Sequence, residues 1–156
     1  MPAAVESARE PGVTNEIRFY HNAPDRLRVA CVLTAKASAR GHKVSVFAPD
    51  NSTARHFDQM LWSFQPLAFV PHVAAGSPLA VETPVVIGNA LDVLLHDDVL
   101  VNLGGELPAN FDRFRLVLEI VGPSEAERQA ARRRYRSYKD RGYALSAHDL
   151  AQRSGE

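Results

Sequence analysis

Residues 16–62 constrain the fold most, because two strand-like runs there alternate with two helix-like ones. Glu16 to His21 (EIRFYH) alternates in polarity and then turns aromatic, which reads as a strand. Asn22-Ala23-Pro24-Asp25 is a turn that opens a helix, with Asn22 or Asp25 as its cap. From Arg26 to Arg40, residues Leu27, Ala30, Cys31, Leu33, Thr34 and Ala37 recur near the helical period, and Gly41 supplies a stop. Lys43 to Ala48 (KVSVFA) is a β-branched strand, and Pro49 to Ser52 turns into a second helix over Thr53–Trp62. Strand–helix–strand–helix is the root of a parallel α/β sheet.

The remainder supports the same class. Short strands are expected at Pro84–Gly88 (PVVIG), Asp98–Leu103 (DVLVNL) and Arg115–Val121 (RLVLEIV), with a helical turn at Pro108–Phe114 and a turn or strand end at Leu91–His96. Gly122-Pro123-Ser124 leads into a last helix, capped by Ser124 with Glu127 three residues on. Tyr143–Leu145 reads as a possible closing strand. Ser63 to Pro84 reads as irregular, with Pro66, Pro71, Pro78 and Pro84 inside it. The organisation expected is one α/β domain over 14–150, three-layered with a mainly parallel sheet, between a disordered lead-in at 1–13 and a frayed tail at 151–156.

Composition excludes several partners. With 18 basic and 18 acidic residues the chain is formally neutral, so any electrostatic partner must be held by a patch. The single Cys31 permits no internal disulfide, which fits a cytoplasmic location. No apolar run reaches the length of a membrane span, and the N-terminal residues lack the apolar core of a secretory signal.

Signals of catalysis are sparse. The first strand–helix turn, HNAPDR, has neither a dinucleotide nor a P-loop glycine pattern. Gly104-Gly105 follows a strand but precedes Glu106 and Pro108, and reads as a terminating turn. The six histidines are scattered, and His96-Asp97-Asp98, the one His/carboxylate cluster, reads as a hydrated turn. Cys31 reads as a core residue. Asp58, Asp97 and Asp98 could supply acid and base, but nothing links them in sequence. No catalytic, metal-binding or cofactor-binding residue is therefore expected.

Two surfaces remain. Residues 125–142 (EAERQAARRRYRSYKDRG) hold seven basic residues against three acidic ones, in a chain that is balanced only as a whole. On a helix, Arg128, Arg132, Tyr135, Arg136 and Lys139 share one face, related by steps of three and four. Such a face suits an anion with an apolar part, and Val121 can wall the apolar side. Nucleic-acid phosphate competes as the anion. The second surface is the aromatic stretch containing Trp62, Phe64, Leu67, Phe69 and Val70, which either closes the core or stays exposed as a docking patch.

Taken together, LW-x₆-FVPH (Leu61-Trp62 and Phe69 to His72), the strand–helix–strand before it, Phe19-Tyr20 in the first strand and AR-x-RY-x-x-Y-x-x-x-G (Ala131 to Gly142) resemble the chi subunit of bacterial DNA polymerase III holoenzyme over roughly residues 15–145. That resemblance implies a Rossmann-like or P-loop-like α/β fold without nucleotide chemistry, in a non-enzymatic accessory subunit of the clamp-loader assembly at the cytoplasmic replisome. It implies two partners. One is the acidic C-terminal tail of single-stranded DNA-binding protein, held at Arg128, Arg132, Tyr135 and Arg136 with Val121 as pocket wall and Lys139 extending the face. The other is the psi subunit, as a heterodimer through Trp62 and Phe69, with Phe64 and Val70 alongside. Contact with nucleic acid would then be mainly indirect. The alternatives are a direct single-stranded nucleic-acid binder and a degenerate nucleotide-binding enzyme.

Overall fold

The computed structural model describes residues 16–65, 69–94 and 96–151. The expected lead-in at 1–13, Pro66 and Leu67 of the aromatic stretch, and tail residues 152–156 lie outside the described residues.

Seven strands form one sheet: β1 (Glu16–His21), β2 (Val44–Phe47), β3 (His72–Ala74), β4 (Val85–Gly88), β5 (Val99–Asn102), β6 (Leu116–Ile120) and β7 (Leu145–Asp149). Their order is β3-β4-β2-β5-β6-β1-β7, and every pairing is parallel, so the expected mainly parallel sheet is wholly so. The central strands β2, β4 and β5 are buried on both faces, which is why they read as mostly apolar runs rather than as an alternation.

Helices cover both faces. α1 (Arg26–Ala39) and α2 (Asn51–Ser63) pack on one, closing a core with Ala30, Cys31, Val44, Val46, Phe57, Leu61 and Leu118. α3 (Glu125–Asp140) and two 3-10 turns, Leu91–Val93 and Phe111–Arg113, close the other with Ile17, Phe19, Leu100, Phe114, Val117 and Tyr138. Burial pushes the Cys31 thiol up to about 12, so it is an inert packing group.

The caps explain where the helices begin and end. Asp25 accepts from the Arg28 amide and Asp50 from the Thr53 amide, so the cap choice at α1 falls on Asp25. α2 begins two residues before the expected Thr53 because Asp50 caps it. Gly41 and Gly142 take left-handed φ of 89° and 87° just past α1 and α3. Each lets the chain bond back to the last turn, His42 N–H to Ala37 and Tyr143 N–H to Tyr138.

Two expectations need correction. The region read as irregular, 63–84, contains β3, and the closing strand lies at 145–149, where only Leu145 of the expected 143–145 belongs to it. Both are edge strands, so neither needs the doubly buried apolar run that marks a central one.

Candidate functional site

α3 has two faces of different chemistry. Its inner stripe is Ala131, Arg134 and Tyr138, all buried. Arg134 Nε donates to the fully buried Glu119 carboxylate at 2.9 Å, and its Nη1 to the Gly105 carbonyl at 2.9 Å. Tyr138 and Asn102 donate to the second Glu119 oxygen at 2.7 and 3.0 Å. Burial, and then the neighbouring Glu119 charge, push the Tyr138 phenol well above its ordinary value, so it stays a donor. One basic charge of the helix is therefore committed to the interior.

The outer face borders a cavity of about 200 Å³ lined by Phe19, His21, Val121, Arg128, Ala131, Arg132, Tyr135 and Ala147. β1 supplies Phe19 and His21, β7 supplies Ala147 opposite Phe19, and Val121 follows β6. Tyr135 is half-buried with its ring edge-on to Phe19 at 5.2 Å, which fixes one wall. Arg128 and Arg132 stand at the mouth. Glu125 already engages both, at 2.8 Å to Arg128 and 3.8 Å to Arg132. Its hydrogen bond from Arg128, and then that from Gln129, hold its carboxyl below the ordinary carboxylate range. The pair of guanidiniums thus holds a carboxylate supplied by its own helix.

The structure brings Val121, Arg128, Arg132 and Tyr135 together at this cavity and leaves two expected members outside it. Arg136 and Lys139 are exposed further along α3 and do not line it. Phe19, His21 and Ala147 were not assigned to this site from sequence. Their contribution comes from strand order, since β1 is separated from β7 by most of the chain, and only the turn to aromatic residues at Phe19-Tyr20 hinted at it.

On the opposite side of the sheet, Trp62 and Phe69 are exposed, at 55% and 68%, with rings 5.7 Å apart. Phe64 and Val70 are instead buried in the core at 8% and 6%. They carry the surface pair from beneath and offer little area to a partner.

The strand ends carry no phosphate cradle among the described residues. At the first one, Ala23 N–H is bonded to the Val121 carbonyl and the Asp25 carboxylate occupies the α1 N-terminus, where a phosphate would need open amides. A cavity of about 660 Å³ lies beside α2 at the carboxyl ends of β2, β3 and β4. It mixes small apolar side chains with Arg55, Asp58, Asn51 and Asn89. His96, Asp97 and Asp98 do not act together: His96 meets the Thr83 carbonyl, while Asp98 meets His42 and Arg115. No group of three or more metal-ligating side chains comes together among the described residues, and no helix there is long and apolar enough to cross a membrane.

This geometry defines a class: a parallel α/β domain with no glycine phosphate loop in its described turns and an arginine-rimmed apolar cavity at one edge. The chain belongs to the DNA polymerase III chi subunit family. The family model described as "DNA polymerase III chi subunit, HolC" matches residues 15–146. A DNA polymerase III subunit chi from Pseudomonas aeruginosa is 39% identical over 125 residues, covering 80% of this chain and 87% of its own. That from Haemophilus influenzae is 30% identical over 123 residues, covering 78% and 85%. Among solved structures, a Dbp5 variant of S. cerevisiae bound to RNA and ADP BeF3 is similar, with a TM-score of 0.55 at 11% identity over 92% of this chain and 44% of that one. That likeness is one of fold alone.

Proposed function

We propose that this chain is a non-catalytic adaptor of the DNA polymerase III clamp-loader assembly, and that the cavity beside α3 binds the acidic C-terminal tail of single-stranded DNA-binding protein. One observation carries the reading: two arginines at the mouth of an apolar cavity already hold a carboxylate, Glu125. An incoming tail would exchange that carboxylate for its own and place its apolar end against Val121 and Tyr135. Exposed ion pairs contribute little individually, so the affinity expected is on the order of micromolar and falls with salt. The Trp62–Phe69 pair is the proposed psi-docking surface, with two adjacent exposed aromatics as anchors.

Titration of the full-length chain with single-stranded DNA-binding protein, with and without its last residues, tests the tail reading. Binding that needs those residues and is lost in Arg132→Ala supports it; identical binding by the two forms defeats it. Direct nucleic-acid binding is the second reading. It is favoured by Arg133, Arg136 and Lys139, which are exposed on α3 with no ion-pair partner among the described residues. A shift of bare single-stranded DNA with a steep salt slope would select it.

A further inference from the structure

β7 ends the sheet with one of its sides unpaired. Its strand neighbour is β1, in parallel register from Ile17 opposite Leu145 to His21 opposite Asp149. Ile17 N–H donates to the Ala144 carbonyl at 2.9 Å, and Leu150 N–H to the His21 carbonyl at 3.0 Å. In a parallel ladder the backbone groups of alternate residues point to opposite sides. The even-numbered residues of 144–150 therefore bond β1, and Leu145, Ala147 and Asp149 turn their N–H and C=O groups to the open edge. Those of Leu145 and Ala147 meet no partner among the described residues. Edge strands are commonly blunted by lysine, proline or a bulge. Leu145–Asp149 (LSAHD) has neither lysine nor proline, and its register with β1 is unbroken.

Ala147 joins this edge to the cavity beside α3. Its side chain lines the cavity with Phe19, Val121 and Tyr135, and Leu145 turns to the same face, packed on the core beneath α3. A strand laid on β7 would place the side chain of the residue opposite Ala147 on that face too, one strand spacing of about 4.8 Å away. Charge selects the occupant. Arg128 and Arg132 line the cavity and no carboxylate does. We propose that the acidic tail bound at this cavity continues along β7 as an eighth strand, its backbone paired with Leu145 and Ala147. The inference rests on the cavity being the tail site and adds the form of the bound peptide: extended, and held by main-chain bonds beside its anchored end. Nucleic acid lacks the alternating amides and carbonyls that such an edge pairs. A second copy of β7 brings a single carboxylate, Asp149, which Asn22 already engages.

The test leaves the protein unaltered. The full-length chain is titrated calorimetrically with the tail peptide of single-stranded DNA-binding protein and with versions in which each backbone N–H in turn is N-methylated. Hydrogen exchange of the Leu145 and Ala147 amides is followed by NMR in the free and saturated protein. A strand turns alternate amides toward its neighbour, so N-methylation should weaken binding about three- to tenfold at every second position beside the anchored end and less than twofold between them. The Leu145 and Ala147 amides should exchange at least tenfold more slowly in the complex. A peptide that binds with no alternation and no slowing overturns the eighth strand and leaves the cavity reading standing. A peptide that does not bind overturns both. Slow exchange of the two amides in the free protein shows an edge already covered and also overturns the proposal, with a second copy as the cover if the slowing grows with protein concentration.

Discussion

Arg132 and Arg134 are two residues apart on α3 and sit in different media. Arg132 has 70% of its side chain in solvent and pairs, among the described residues, with the exposed Glu125 at 3.8 Å. Arg134 has 7% in solvent and donates at 2.9 Å to a carboxylate that has none. The exposed charge is free to exchange partners, while the buried one has no alternative to Glu119. A count of basic residues on a helix therefore overstates what the helix can offer a ligand, and the two faces should fail in different ways when altered.

The largest expected effect is on the inner face. Arg134→Met strands Glu119 as an unpaired buried charge, and denaturant melts should show a loss of about 3–5 kcal/mol. Arg134→Met combined with Glu119→Leu should recover a large part of it, because the stranded charge is then gone. Tyr138→Phe removes one charge-assisted bond and should cost about 2 kcal/mol at neutral pH. That gap has a pH signature. The folded Tyr138 phenol lies above its ordinary value of 10.0, so the stability it contributes is complete below that pH and is lost as pH rises toward the folded value. The difference between wild type and Tyr138→Phe should therefore narrow above pH 10, as measured by melts on the two chains.

Outer-face changes should spare the fold and move binding. Arg132→Ala should leave stability within about 0.5 kcal/mol. It should weaken tail-peptide binding about tenfold by calorimetric titration, since one of two charge-assisted contacts is lost. The smallest effect has the opposite sign. Glu125→Gln removes the internal competitor for Arg128 and Arg132, and tail binding should tighten about two- to threefold, less at high salt. A stability loss in Arg132→Ala as large as that in Arg134→Met would erase the distinction between the faces.

The sequence makes local features legible and hides those set by distant pairing. β2 and β4–β6 announce themselves by short apolar runs rich in β-branched residues, β1 by an alternation that turns aromatic, and α1 and α3 by their caps and closing glycines. β3 does not, because His72–Ala74 is three residues long, sits among prolines and pairs with β4 alone. At the cavity, Val121, Arg128, Arg132 and Tyr135 come from one helix and the strand end before it, so their spacing reveals them. Phe19, His21 and Ala147 reach it only through the order β6-β1-β7. The inner face left a readable clue. Glu119 is a lone carboxylate in the apolar strand LVLEI, which calls for a buried cation, and Arg134 shares a stripe with Ala131 and Tyr138.

The Glu119 cluster also fixes how the binding helix moves. It joins β6 to α3 at two points one turn apart, and reaches β5 through Asn102 and the following turn through Gly105. α3 cannot peel from the sheet without breaking the Arg134 and Tyr138 bonds together, so its backbone amides should exchange with deuterium in the same opening event as those of β6. Arg128, Arg132 and Tyr135 are therefore held on a rigid bar in the free protein. A peptide that settles against them has only itself to order.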